Sequence, residues 1–155
     1  MITIRSSLPE DAEGIRRVSE SATATLRKTY RPNQKALENR KSFSSQLNRL
    51  VALVDGEIAG TTQFYRDGEA LRIIGLFVHP DYRRRGVARA IVDEVVEIAL
   101  KQGIDLLVTR TVKETGNVPI FEKMGFDVMS VHADEYSESD EFRQLSEVDL
   151  QKKIT

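Results

Sequence analysis

The chain has 155 residues, a net charge of −1 and no cysteine. That length suits one domain with a real core and is short for two. The balanced charge gives no global attraction to nucleic acid, and the lack of thiols excludes disulfides, thiolate metal sites and a cysteine nucleophile.

The opening residues, MITIRSSLPED, form no signal-peptide apolar core, and no window reaches the length of a membrane span, so a soluble cytoplasmic protein with no membrane partner is expected. Ile2 and Ile4 alternate with Thr3 and Arg5, which predicts a first strand. Ser7, Pro9 and Glu10 then supply an N-cap, a first-turn proline and a capping-box carboxylate for a helix from about Pro9. Ala12, Ile15, Ala22 and Leu26 give that helix its apolar stripe, and Tyr30-Arg31-Pro32 ends it. A second, weaker helical pattern runs through Ala36, Phe43, Leu47 and Leu50. Three apolar runs follow, Leu50 to Val54, Ile58 to Tyr65 and Ala70 to Val78. Asp55-Gly56 and Asp67-Gly68 separate them, and such pairs provide the positive φ that tight hairpins require, so the runs predict a three-stranded antiparallel meander.

The stretch from Leu76 to Lys101 carries the chemistry. An apolar strand enters His79-Pro80-Asp81, then the basic run Arg83-Arg84-Arg85-Gly86, then a helix with Ala88, Ile91, Val92, Val95 and Ala99 on one face and a stop at Gly103. Gly86 has no Cβ and lets a ligand approach the backbone. The helix start offers unpaired N–H groups and the positive end of the dipole, and Arg83, Arg84, Arg85 and Arg89 add guanidinium groups. Together these favour a multiply charged anion, a diphosphate, over a single carboxylate. No Gly-Lys-Ser/Thr follows, so a Walker-type nucleotide loop fits worse.

Ile104 to Val112 reads as a buried strand. The strand, helix, strand order from Ile73 to Val112 calls for a right-handed crossover and a locally parallel pair. Asn117 then caps a short helix, Val118 to Met124, which Gly125 stops. A strand from Phe126, an acidic segment and a last strand near Val148 to Ile154 complete the chain.

Arg83-x-x-Gly86-x-Ala88, following Val78-His79-Pro80, resembles the acyl-CoA signature of the GNAT superfamily of N-acyltransferases, written Q/R-x-x-G-x-G/A. Asn117-Val-Pro-Ile-Phe121 leading to Gly125-Phe126 resembles the family's other signature. The two occur in the family's order, one helix and one strand apart, and with the first strand and helix the resemblance covers essentially the whole chain. It implies an α/β (α+β) fold, a mixed and mostly antiparallel sheet of roughly six to seven strands with a central, splayed parallel pair and flanking helices. One domain would span residues 1–155. It also implies transfer of acetyl from acetyl-CoA to a primary amine of a small molecule or peptide, in a ternary complex and without a metal. The splayed strands would hold the amide-rich arm of CoA by their free backbone groups. The cofactor-binding residues so implied are Phe77, Val78, Arg83, Arg84, Arg85, Gly86, Val87, Ala88, Arg89, Asn117 and Phe121, with the backbone at Phe77 and Val78 polarising the thioester carbonyl.

Aminolysis of a thioester needs a deprotonated amine, a polarised carbonyl and a proton for the departing thiolate. Two positions depart from the family pattern. Phe121 stands where many members carry an acid tyrosine, and Arg72 where some amine-acetylating relatives carry a glutamate. Tyr136, Glu69 and His132 are catalytic candidates by availability, with Glu114, Glu135 and Tyr82 behind them; His79 and His132 read first as structural histidines. Resemblance places acceptor specificity in Leu26 to Asn33 and in Ala133 to Glu141, with Tyr30 and Glu135 as the expected acceptor contacts. Asp134, Glu135, Glu138, Asp140 and Glu141 would concentrate a cationic amine, although a solvated acidic loop is the plainer reading. The alternative function is a catalytically impaired CoA-binding sensor or interaction module. A nucleic-acid partner is not expected, because the chain lacks basic breadth and an aromatic stacking face. A monomer and a homodimer both remain open.

Overall fold

The computed structural model describes residues 1–39 and 47–154. In chain order its elements are β1 (Ile2–Ser6), a 3-10 turn at Pro9–Asp11, α1 (Ala12–Leu26), β2 (Arg31–Pro32), α2 (Gln34–Asn39), β3 (Asn48–Val54), β4 (Glu57–Asp67) and β5 (Ala70–Val78). Then come α3 (Val87–Lys101), β6 (Leu106–Val112), α4 (Val118–Lys123), β7 (Asp127–Ala133), β8 (Ser137–Glu138) and β9 (Ser146–Lys153). Seven strands form one sheet in the order β1-β3-β4-β5-β6-β9-β7, while β2 and β8 pair separately. Every pairing in the large sheet is antiparallel except β5 with β6. This is the mixed, helix-flanked sheet that the sequence predicts.

The meander forms as expected. Asp55 and Gly56 both have positive φ, 52° and 82°, the conformation of a two-residue type I′ hairpin. The second turn sits one residue later than predicted: Asp67 pairs with Ala70, so Gly68 and Glu69 make the loop and Gly68 alone supplies positive φ. At the first helix, Asp11 rather than Glu10 is the capping carboxylate. Its Oδ2 accepts from the Leu8 N–H at 2.7 Å, and its two oxygens take a bidentate pair from Arg5 at 2.7 and 3.0 Å. The weak second helix covers only α2. Phe43 lies outside the described residues, and Leu50 belongs to β3, where Leu50, Val51, Ala52 and Val54 are buried. A strand buried on both faces shows no alternation, so periodicity alone assigns Leu50 both to the helical pattern and to the apolar run that follows, and the structure gives it to the strand.

Neighbours on β3 point to opposite faces, and each face has its own helix. Val51 packs with Val18 of α1 and with Ile58, whereas Ala52 packs with Val87 and Ile91 of α3. The larger core lies on the α3 side, where Val92, Val95 and Ala99 meet Leu71, Ile73, Leu107, Val148 and Leu150. Phe121 of α4 closes it, edge-on to Phe126 with ring centroids 5.4 Å apart. Among the described residues no helix is long and apolar enough to cross a membrane.

The parallel pair is short. β5 and β6 share only the register pairs Leu71–Leu107 and Arg72–Val108, and the buried Thr109 hydroxyl adds one link, donating to the Ile73 carbonyl at 2.9 Å. Beyond it the strands part. Gly75 lies where they do so, as a bulge: Gln63 pairs with Ile74 and Thr62 with Leu76, which leaves Gly75 unmatched at φ +67°.

Candidate active site

The gap between β5 and β6 opens into a groove of about 1050 Å³. One end is formed by the α3 N-terminus and α4, the middle by Gly75–Val78 and Thr109–Val112, and the other end by Leu26, Arg27 and Tyr30 with Asp134 and Glu147.

Gly86 is the N-cap of α3 and holds φ +80° with no side-chain cap. A Cβ built on it would meet no atom within 4 Å, so the backbone there faces open space. Arg84 also has positive φ, 65°, a strained value for a side-chain-bearing residue. Two left-handed residues within three positions curl the loop into a concave turn ahead of the free N–H groups of the helix start. Arg83, Arg84, Gly86, Val87, Ala88 and Arg89 all line the groove. Arg85 does not. Its guanidinium lies over the Tyr82 ring, 5.5 Å from the centroid, because three consecutive side chains leaving a curled loop diverge. Arg89 is engaged as well, donating to the Lys123 carbonyl at 2.7 Å and so tying α3 to the end of α4.

Asn117 lines the opposite wall and its side chain makes no capping bond to α4, which leaves the amide available to a ligand. Phe121 shows an edge to the groove but is a core side chain. The two backbone candidates separate by direction. The His79 N–H donates to the Ala59 carbonyl at 2.8 Å on the β4 side, and alternate residues of a strand point their backbone groups to opposite edges. Val78 therefore turns towards the splay, where Arg83 Nε donates to its carbonyl at 3.3 Å, and Phe77, paired with Thr61, turns to β4.

Other predicted residues sit elsewhere. Glu69 is in the hairpin loop at the far end of β4 and β5, and Arg72 binds Asp67 at 2.7 Å near that same end; neither lines the groove. His79 caps the turn that follows β5, its Nδ1 accepting from the Asp81 N–H at 3.2 Å. Tyr82 lines the groove with its hydroxyl 3.3 Å from Glu57 Oε2.

The two segments assigned to the acceptor meet. β2 pairs with β8, the Asn33 N–H donates to the Tyr136 carbonyl at 2.9 Å, and the Ser139 hydroxyl donates to the Thr29 carbonyl. This clasp engages most of the acidic loop: Glu138 and Asp140 pair with Arg31, and Glu135 pairs with Lys35. The Lys35 ammonium also lies 5.1 Å from the centroid of the Tyr136 ring. Glu135 and Tyr136 thus hold the clasp together and do not line the groove, whereas Asp134, 8 % exposed, does. Tyr30 faces it too, with Arg27 over its ring, and burial pushes its hydroxyl pKa up.

Glu147 was missed from sequence. It is the second residue of β9, opposite Val112, and lines the groove. Burial raises its pKa, against the opposing pull of Arg110 and His132. The available signal was the alternation of Glu147, Asp149 and Gln151 with Val148 and Leu150, which places the carboxylates on one face; a predicted strand starting at Val148 excludes it.

The model of the acetyltransferase (GNAT) family matches residues 15–126. Solved structures of similar fold include the ribosomal-protein-S18-alanine N-acetyltransferase from Escherichia coli, 17 % identical with a TM-score of 0.77 over 100 % of this chain and 95 % of that one. The PaiA N-acetyltransferase from Thermoplasma acidophilum, solved in complex with coenzyme A, is 19 % identical with a TM-score of 0.73 over 99 % of each chain. An IAA acetyltransferase from Bacillus cereus is 12 % identical with a TM-score of 0.72, covering 99 % of this chain and 100 % of that one. With both signatures set on the walls of one groove and the family model spanning most of its length, the chain belongs to the GNAT acetyltransferase family.

Proposed function

We propose that this protein is an acetyl-CoA-dependent N-acetyltransferase acting on a primary amine, and that the clasp end of the groove is where the amine binds. The observation that carries the reading is the continuity of the groove, from an anion-binding helix start, through two diverging strands, to an end lined by Tyr30, Asp134 and Glu147.

Acetyl-CoA would supply an acetyl group activated as a thioester. The residues present suit it: Gly86 leaves its cradle open, Arg83 and Arg84 add positive charge, and Asn117 has an unused amide. The splayed edge of β5 offers backbone groups to an extended arm. The Val78 N–H turns towards the splay and would polarise the thioester carbonyl, while Phe77 contributes its ring to the packing under α1. Asp134 and Glu147 favour a cationic acceptor, a small amine or the amino group of a peptide. Thiolate leaves readily, so direct attack in a ternary complex needs no acid at Phe121. A cytoplasmic setting, with acetyl-CoA to hand, completes the reading.

Calorimetric titration with acetyl-CoA, CoA and desulfo-CoA, followed by thiol release against a panel of amines, amino acids and basic peptides, tests it. Binding together with thiol release for one amine class is the expected result. The second reading, a CoA-binding sensor, is favoured by one observation: Phe121 is a buried core residue with no proton to give. Tight binding without turnover across the panel would select it.

A further inference from the structure

Glu147 does not stand alone. It faces His132 directly across the β7–β9 pair, with Oε1 3.6 Å from His132 Nε2. The same nitrogen lies 3.0 Å from Asp149 Oδ2, and its ring partner Nδ1 lies 3.3 Å from the Ala133 carbonyl. One bulge makes this possible: Val128 pairs with Leu150 and Ser130 with Asp149, so Met129 is the extra residue and His132 shares a face with Glu147 and Asp149. Glu147 is 17 % exposed at its side chain and lines the groove, whereas His132 is 46 % exposed and reaches solvent. The pair therefore connects the inside of the groove with its outside.

We propose that Glu147 accepts the proton of the acceptor's ammonium group and that His132, held by Asp149, passes that proton to solvent. The assignment rests on the acetyl-transfer reading and deepens it. In the step, the ammonium loses one proton to Glu147, the freed lone pair forms the N–C bond, and the C–S bond breaks with its electron pair on sulfur. The second nitrogen proton leaves to neutralise the thiolate, so one amine and one thioester give one amide and one thiol. The proton on Glu147 leaves by His132, which restores the carboxylate.

The charges around the pair suit this role. From β6, Arg110 reaches Asp149 at 2.6 Å and Glu147 at 3.8 Å; from β7, Ser130 donates to Asp149 at 2.7 Å. Tyr65 of β4 lies within electrostatic reach of Arg110, and Asp134 faces Glu147 from the clasp side. Burial pushes Asp149 up, but the bonds from Ser130, Arg110 and His132 outweigh it and hold it ionised below the usual range. That fixed charge raises the pKa of His132, chiefly through the Asp149 hydrogen bond, while burial raises that of Glu147, so each group holds a proton more readily than it would in water. Ligating atoms of His132, Glu147 and Asp149 lie within 4.8 Å of one another, as a cation would need, but Arg110 already supplies a positive charge there.

The chain has two histidines, so imidazole NMR titration can follow His132 beside His79 as an internal control. Wild type, Glu147→Gln and Asp149→Asn are titrated with CoA present, and thiol release is measured for spermidine and for any amine the wild type uses. In both variants the His132 midpoint is expected to fall, more in Asp149→Asn, with His79 unmoved. Thiol release is expected to fall about 100-fold in Glu147→Gln, at unchanged CoA affinity. A His132 titration identical in wild type and Glu147→Gln overturns the proposal whether or not an acceptor is known, and so does full thiol release by Glu147→Gln. Failure of the wild type to bind acetyl-CoA would instead defeat the acetyl-transfer reading, while the titration still reports on the pair.

Discussion

Gly60 of β4 lies directly under Val87, the first residue of α3: a Cβ built on Gly60 would stand 2.9 Å from Val87 Cγ1, 3.0 Å from Ile91 Cδ1 and 3.1 Å from the Phe77 carbonyl. The bare α-carbon lets the helix settle onto the sheet, which sets the height of its N-terminus above the groove. Gly60→Ala should cost about 1–3 kcal/mol through overpacking and should also weaken acetyl-CoA binding, since the helix start must lift. Denaturant unfolding and calorimetry check both, and an unchanged midpoint would show that α3 can slide at no cost.

At Gly86 the constraint is conformational, not steric. Its Cβ position is empty, but φ is +80°. Gly86→Ala should therefore lose about 1 kcal/mol from left-handed strain. Gly86→Asp adds a carboxylate where phosphates would sit, and CoA binding should vanish while circular dichroism stays native. Wild-type affinity in a folded Gly86→Asp protein would refute the placement of the cradle.

Asn117 separates cap from contact. Because its side chain makes no capping bond, Asn117→Ala should leave the unfolding free energy within about 0.5 kcal/mol of wild type. CoA affinity should drop by about 1 kcal/mol, close to fivefold, for the loss of one hydrogen bond. A large fall in stability at full affinity would reverse the assignment.

Gly86 and Asn117 also show why the residues expected on the donor side of the groove are legible in sequence. Gly86, the arginines, Asn117 and the Gly125-Phe126 stop belong to local patterns, each with its own backbone logic. Gly60 gave no local signal, because its role depends on a helix arriving from another part of the chain. Glu147 and Asp134 were obscured for the same reason. Which acidic side chain turns inward depends on the clasp pairing and on the bulge at Met129, and neither leaves a mark in the neighbouring residues. The acidic loop reads from sequence first as a solvated segment and second as a lure for amines; in the structure three of its carboxylates fasten Arg31 and Lys35.

The Arg5–Asp11 pair carries a pH signature. Hydrogen bonds from Arg5 and from the Leu8 N–H hold the Asp11 pKa below its usual value. A carboxylate depressed in the folded state stabilises above its unfolded pKa, and that stability is lost as pH falls through the folded value. Asp11→Asn should be less stable at neutral pH and should show a flatter acid limb. Parallel unfolding curves for wild type and variant from neutral to acid pH would argue against the pair.

The clasp should be thermodynamically quiet and kinetically visible. Arg31 is exposed and its pairs with Glu138 and Asp140 are solvent-facing, so Arg31→Ala should change stability by about 1 kcal/mol or less. Amide exchange at Asn33, whose N–H bonds Tyr136, should nevertheless accelerate. Unaltered exchange would place the strength of the clasp in its backbone pairing alone.

A strand with unpaired backbone is normally found at a sheet's rim, where it invites other chains to add on. The bulge at Gly75 and the parting of β5 from β6 create such an edge in the middle of the sheet, walled by β6 and by the start of α3. The slot lies between two strands of one sheet. It can accept a slender extended molecule and excludes a second sheet, so the fold keeps an adhesive edge open while sparing it from aggregation.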